Sequence, residues 1–218
     1  MKASIVVVDN GDPNLEECLK SLRNQSVKDV EIIFCPGPKS NLEVAKKYVD
    51  TILPPMVGIG KSRIRGILAA KTNYIISCDS DSIYSRDYVK IALEDLKLFP
   101  VVKAGTILPL KPSNLGYVES LCSFIIPYEF ALSFRRDVFL EHKIHLFDYD
   151  SDPRRDIGPP LMQKVGFVND PRLIVWSKLP TTGAKMIADD YSLSILMSGV
   201  PGAVVGGTII YNMLNKTL

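Results

Sequence analysis

The chain has 218 residues, of which 46% are hydrophobic and 23% charged, enough to bury a sizeable core. Its formal net charge of +2 is too small to favour nucleic acid or an anionic membrane surface as partner. One domain is therefore expected, with at most a poorly separated second half.

Cysteine usage and chain patterning indicate the cellular compartment. A strand pattern begins at Ala3, which argues against a signal peptide. The four cysteines are scattered without a C-x-x-C pair, which predicts reduced core thiols in a cytoplasmic protein. The uncharged segment 191–215 is interrupted by proline and glycine, so we expect a helix and a buried strand there rather than a membrane span. Peripheral membrane association stays open.

The first half of the chain alternates between strand and helix patterns. Continuous apolar, β-branched runs are typical of buried parallel strands. They cover residues 3–8, 30–34, 50–53, 74–78 and 101–108. Asp12 is the expected N-cap of the first helix and Ser40 begins a capping box for the second, with further helices over 61–70 and 85–98. This order predicts an α/β fold with a mostly parallel sheet and helices on both faces.

The second half is less regular. Its predicted elements are a strand at 128–134, a helix at 135–142, a loop at 148–160, a strand at 171–176, a helix at 188–198 and a strand at 202–211. The change of pattern falls near residues 111–116. We therefore expect one domain in two halves: residues 1–110 bind a nucleotide and residues 111–218 bind the second substrate.

Two carboxylates, Asp79 and Asp81, directly follow the buried run at 74–78. Ligands of open α/β sheets bind at the carboxyl ends of strands. Carboxylates this close repel each other unless a positive charge lies between them. Mg²⁺ and Mn²⁺ share one or two carboxylates with substrate phosphates. The pair therefore indicates a metal–diphosphate site, and a solvated turn is the alternative.

The run Gly60-Lys61-Ser62 imitates the end of a phosphate-binding P-loop. That motif needs a glycine five residues before Gly60, and Pro55 stands there without a backbone N–H to donate. A P-loop NTPase is therefore kept only as a remote alternative.

The same region resembles the family 2 glycosyltransferases, which have the GT-A fold. In that family a helix pattern A-R-N-x-G-I leads to a strand ending D-x-D, and here the segment reads SRIRGILAAKTNYIISCDSD. Arg63, Gly66, Asp79 and Asp81 match by position, whereas Ile64 replaces the Asn. The resemblance implies a Rossmann-like, mixed sheet flanked by helices and a nucleoside-diphosphate-sugar donor. It also implies a Mg²⁺ or Mn²⁺ ion held by Asp79 and Asp81, with Asp81 the preferred direct ligand.

Donor contacts follow from the same resemblance. The implied residues are Val8, Asp9, Asn10, Lys61, Arg63, Asp79 and Ser80. For Lys61 and Arg63 an ordinary basic helix face is the alternative. The second strand ends IIFCPGPKS instead of the VVDDGS of many relatives, so their Asp contact to the base or ribose is absent or supplied by Asp9. A late histidine that serves many relatives as a further metal ligand is missing.

The family uses an Asp at a helix start as the base that deprotonates the acceptor. Asp190 is the favoured candidate, with Asp189 and Asp156 as alternatives, and plain N-capping is the structural interpretation of Asp189 and Asp190. Arg135 and Arg136, in a segment similar to the one before the acceptor site, face either phosphate or the surface.

The resemblance thus implies metal-dependent sugar transfer, with inversion, to a hydroxyl of a glycan, lipid or protein. The alternative is an inactive GT-A scaffold that binds a sugar nucleotide or a partner, because the Asn, the second-strand Asp and the late histidine are absent. A nucleotidyltransferase would need a glycine-rich basic loop after the first strand, and VDNGDPN contains no basic residue. No nucleic-acid partner is expected, and the oligomeric state is not indicated.

Overall fold

The computed structural model describes residues 2–110, 131–151 and 156–177. The strands are β1 Ala3–Asp9, β2 Val30–Pro36, β3 Thr51–Ile52, β4 Tyr74–Asp79, β5 Ser82–Tyr84, β6 Val101–Pro109, β7 Leu132–Arg135 and β8 Val168–Ser177. The helices are α1 Leu15–Arg23, α2 Leu42–Ala45, α3 Ile59–Ala69, α4 Tyr88–Asp95, α5 Arg136–Glu141 and α6 Gly158–Val165, with a 3₁₀ turn at Ile144–Leu146.

The described strands form one sheet in the order β3-β2-β1-β4-β7-β6-β8-β5. β1 runs parallel to β2 and β4, and β2 runs parallel to β3. β7 lies antiparallel between β4 and β6. The predicted α/β class with a mixed, mostly parallel sheet is confirmed. The position of β7 was not predicted, because a pairing between distant segments leaves no trace in the order of strands along the chain.

Several element boundaries differ by a few residues from the sequence-based expectation, and two differences are larger. The three-residue strand β5 was not predicted, because its sequence shows no clear alternation of apolar and polar residues. Antiparallel pairing with β8 holds it in the sheet. The helix predicted at 85–98 is shorter and spans Tyr88–Asp95. Both differences arise where tertiary pairing, rather than local propensity, sets the backbone.

The two residues predicted to start helix caps, Asp12 and Ser40, make other hydrogen bonds instead. Asp12 is not the N-cap of α1: its Oδ1 accepts from the Asn14 N–H at 2.8 Å, and the helix begins at Leu15 after Asn14. The N-cap of α2 is Asn41, whose side chain accepts from the Val44 N–H. Ser40 instead donates to the Asp9 carbonyl at 3.0 Å, so it joins the loops after β1 and β2.

Helices cover both faces of the sheet, and a glycine sets the spacing on one of them. A Cβ at Gly66 of α3 would lie in hard contact with Val6 Cγ1 and within 2.5 Å of Cys35 Sγ. Gly66 therefore lets α3 lie directly on β1 and β2. Cys18, Cys35 and Cys78 are buried free thiols, as expected.

Several expected features lie outside the described residues. They are the helix at 188–198, the strand at 202–211, the uncharged segment 191–215, and the candidate bases Asp189 and Asp190. Within the described ranges, no helix has both the length and the apolar character needed to cross a bilayer.

A buried carboxylate pair joins α4 to β8. Arg172 Nη2 donates to Asp95 Oδ1 at 2.8 Å, and Arg172 also binds Asp170 through Nε and Nη2. Burial and a hydrogen bond with Asp170 raise the pKa of Asp95 to about 6. Hydrogen bonds from Arg172 lower the pKa of Asp170 to about 2. Between about pH 4 and 6, the folded protein therefore keeps a proton on Asp95 that the unfolded chain has lost.

We expect Asp95→Asn to raise the melting temperature at pH 7.5 and to change it little near pH 4. The contribution of Asp95 to the free energy of unfolding falls as pH rises through this window, because the ionised carboxylate is penalised by burial. The gain should be about 0.5–1 kcal/mol, or roughly 2–3 °C, since solvent partly screens the pair. Thermal unfolding at both pH values measures it. Asp170→Asn should instead lower the melting temperature at pH 7.5, and equal shifts of Asp95→Asn at both pH values would contradict the assignment.

Candidate active site

A cleft of about 890 Å³ opens at the carboxyl ends of β2, β1 and β4. It is lined by residues 8–13, 37–39, 56–59, 62–63, 79–81 and 156. Since these three strands are neighbours in the sheet, their loops meet at one edge, where open α/β sheets bind ligands.

Asp79 and Asp81 lie at the end of β4 in this cleft, but in different electrostatic surroundings. Asp79 Oδ1 accepts from Arg63 Nη2 at 2.6 Å. Asp81 Oδ1 accepts from the Ser82 hydroxyl at 2.7 Å, and within the part of the chain that the structure describes no cation pairs with it. Burial and the nearby Asp79 raise the pKa of Asp81 to about 6. Asp81 therefore carries a charge that the described protein leaves uncompensated.

Arg63 extends from α3 and is only 3% exposed. Its Nε and Nη2 donate to Asp156, Nη2 also donates to Asp79, and Nη1 donates to Ser77 Oγ at 2.5 Å and to the Cys78 carbonyl. All its donor groups are thus engaged by protein atoms. Asp156, two residues before the start of α6, is 5% exposed and also accepts from the Ile157 N–H.

The other basic residues singled out in the sequence lie elsewhere. Lys61 does not line the cleft, and its ammonium group pairs with Asp150. Arg135 pairs with Asp137 at 2.7 Å, and Arg136 donates to the Ile67 carbonyl at the end of α3. Of the cations predicted near phosphate, Arg63 alone lines the cleft.

Asp9 connects the loop that follows β1 to residues 79–81, which are called the D-x-D turn below. It is 6% exposed, and its carboxylate accepts from the Gly11 and Asp12 N–H groups and, at 2.6 Å, from the Ser80 hydroxyl. These three donors engage both carboxylate oxygens of Asp9, so few of its acceptor positions are left for a nucleoside hydroxyl or base. Val8, Asn10 and Ser80 line the cleft with it, and Asn10 is exposed.

Several cleft residues were not singled out from the sequence. Met56 and Gly58 belong to the loop before α3, and Ser62 lies in its first turn. The positive φ of 99° at Gly58 explains a glycine at that N-cap, a signal that the sequence contained. Nothing in the sequence indicated an apolar wall at Met56.

The donor set fits a hard divalent cation that also takes ligand oxygens. No group of three or more His, Cys, Asp or Glu side chains is placed to hold a metal among residues 2–110, 131–151 and 156–177. Asp79 has one carboxylate oxygen beyond its bond to Arg63, and Asp81 lies two residues further along the chain in the same cleft. Mg²⁺ and Mn²⁺ accept such a sparse protein shell when phosphate and water complete it.

Comparison with known proteins agrees with this architecture. Residues 4–108 match the family model described as glycosyl transferase family 2. EpsH and EpsJ of Bacillus subtilis (strain 168), both named as glycosyltransferases, are 32% and 34% identical to the chain over 92 and 97 residues, or 38% and 41% of it. The chain spans only 27% of the length of each of these relatives.

Solved structures of S. aureus TarS share the fold. One crystal structure of S. aureus TarS aligns with a TM-score of 0.61 at 15% identity, covering 99% of this chain and 43% of that one. Residues 1–349 of TarS, solved in complex with UDP-GlcNAc, align with a TM-score of 0.52 at 18% identity, covering 66% of this chain and 48% of that one. The family match, the named relatives and the shared architecture agree: residues 4–108 match the family 2 glycosyltransferases, and the chain has the GT-A fold.

Proposed function

We propose that the protein transfers a sugar from a nucleoside-diphosphate sugar to an acceptor hydroxyl, with Mg²⁺ or Mn²⁺ bound and with inversion. The observation that carries this proposal is the carboxylate pair in the cleft, in which Arg63 compensates Asp79 and nothing described compensates Asp81. A cation between Asp81 and a diphosphate would supply the missing charge.

The order of the strands supports a donor that lies along the cleft, across the carboxyl ends of β2, β1 and β4. Adjacent strands lie about 4.8 Å apart, so the loops after β2 and β4 are separated by roughly 10 Å, comparable to the length of a nucleoside. We infer that the nucleoside lies over β2 and β1 and the diphosphate at β4. TarS was solved with UDP and with UDP-GlcNAc, which supports a UDP-sugar as the first donor to test.

In this mechanism Asp79 and Asp81 would hold the cation and orient the diphosphate. When bound, the metal stabilises the negative charge that grows on the leaving nucleoside diphosphate. Arg63 positions Asp79 through its fork of hydrogen bonds. The acceptor hydroxyl needs a base with a lone pair free to reach it. Both oxygens of Asp156 are engaged by Arg63, which supports Asp190 as the base and Asp156 as the counter-ion.

A binding scaffold without turnover is the second candidate. It is favoured by the absence of a third metal-ligating side chain among the described residues and by the occupied carboxylate of Asp9. The P-loop alternative finds no support, because Lys61 does not line the cleft and its ammonium group pairs with Asp150. The acceptor, a glycan, lipid or protein, stays open, and the three buried free thiols support a cytoplasmic location.

A donor panel tests the proposal. The protein is incubated with UDP- and GDP-sugars and Mn²⁺, and released nucleoside diphosphate is measured, with EDTA as the metal-free control. We expect slow metal-dependent hydrolysis of at least one donor. Tight binding in calorimetry with no release would favour the scaffold. No binding of any donor in the presence of Mn²⁺ would exclude both.

A further inference from the structure

The backbone of Asp79 lies where β4 loses one of its neighbours. On one side, β4 pairs with β1 as far as Val8 and Asp79. On the other side, its pairing with β7 ends at Ile76 and Ser133. Beyond Ile76, the backbone groups that face β7 need other partners, because an unpaired buried N–H is costly.

Tyr84 supplies the partner for Asp79. The Asp79 N–H donates to the Tyr84 hydroxyl at 3.0 Å. Tyr84 is 3% exposed, and its ring meets that of Tyr88 edge-on with 5.1 Å between centroids. Its own backbone N–H donates to Ser21 Oγ of α1. A rigid, buried aromatic side chain therefore takes the place of the absent strand.

The other side of the Asp79 Cα is held as well. The Cys18 thiol donates to the Asp79 carbonyl at 3.4 Å, and the Ser80 N–H donates to the Val8 carbonyl at 3.1 Å. Both peptide units that flank this Cα are thus tethered. Since Arg63 holds Oδ1 at 2.6 Å, the direction of the remaining carboxylate oxygen depends on these tethers.

We propose that Tyr84 is a positioning residue of the D-x-D turn, and that its hydroxyl orients Asp79 toward the cation and diphosphate. The proposal rests on the function proposed above. Tyr84 contacts neither ligand itself and acts through the Asp79 peptide. Loss of the hydroxyl frees the N–H and lets the peptide rotate, so metal-dependent nucleotide binding should weaken more than the fold.

Tyr84→Phe tests the proposal, with Tyr88→Phe as the matched control. Tyr88 is equally buried and belongs to the same ring pair, but its hydroxyl donates to the Ala131 carbonyl, which also accepts from the Ala104 N–H. Calorimetry with UDP in the presence of MnCl₂ should show about tenfold weaker binding in Tyr84→Phe, and less than a twofold change in Tyr88→Phe. Equal affinities in the two variants would overturn the proposal, whatever their melting temperatures.

A measurement without ligand separates this inference from the proposed function. In the unmodified protein, amide hydrogen exchange followed by NMR should protect Asp79 as strongly as Ser80, although Asp79 has no strand partner on that side. Tyr84→Phe should raise the exchange rate of Asp79 at least tenfold relative to Tyr88→Phe. Free exchange of Asp79 in the unmodified protein would refute the positioning role even if a variant failed to fold. A protein that binds no UDP but protects Asp79 would contradict the proposed function alone.

Discussion

Asp81→Asn should reduce metal-dependent release of nucleoside diphosphate by about 100-fold or more, the scale of losing one electrostatic contact to developing charge. Arg63 pairs with Asp79, whereas among the described residues no cation pairs with Asp81. The charge of Asp81 is therefore the one most available to a bound metal. The amide has almost the same size and keeps an oxygen that can accept from Ser82. The loss should therefore come from charge and not from packing.

The stability of Asp81→Asn supplies the control. The pKa of Asp81 is about 6 in the folded protein and about 3.9 in an unfolded chain, so ionised Asp81 destabilises the metal-free protein above pH 6. With EDTA present, Asp81→Asn should melt at a higher temperature than the unmodified protein at pH 7.5, and at a similar temperature near pH 4. A lowered melting temperature at pH 7.5 would show a structural role. Unchanged release would remove Asp81 from the metal site.

Asp156→Asn should lower both the stability and donor binding, whereas Asp190→Asn should lower transfer alone. Arg63 and Asp156 are almost fully buried, and their side chains meet at 2.7–2.9 Å. Removing this charge leaves the buried Arg63 guanidinium with Asp79 as its one carboxylate partner among the described residues, at a cost of about 3 kcal/mol, or roughly 10 °C in melting temperature. The orientation of Arg63, and with it that of Asp79, should then be less firmly fixed, because the Asp156 carboxylate no longer holds the Nε and Nη2 side of the guanidinium. Thermal unfolding and calorimetry with UDP and Mn²⁺ measure both effects.

A surface pair on the same helix gives the comparison. Lys61 pairs with Asp150, whose side chain is 77% exposed, so Asp150→Asn should change the melting temperature by less than about 2 °C. For Asp190→Asn we expect intact donor binding and a loss of transfer of about 100-fold or more. If Asp156→Asn instead keeps its stability and donor binding but loses transfer, Asp156 is the base.

The carboxylate pair was the most predictable part of the site. Asp79 and Asp81 follow a buried apolar run, and in a parallel sheet such a run ends at the binding edge. The partner of Arg63 was not predictable, because Asp156 is 93 residues away and nothing local specifies that contact. Asp9 is similar: its role depends on Ser80, 71 residues further along the chain.

Local pattern by itself determined the α/β class, the strands that build the cleft and the position of the D-x-D carboxylates. These follow from runs of a few residues whose apolar character and spacing act over short distances. The tertiary structure alone decided that β7 enters between β4 and β6, that Arg63 is held by Asp156 and that Tyr84 supports Asp79. The first two join segments distant in the sequence, and such contacts exist only after the chain has closed the intervening loops. Tyr84 is only five residues from Asp79, but the strand that holds it, β5, is placed by its pairing with the distant β8.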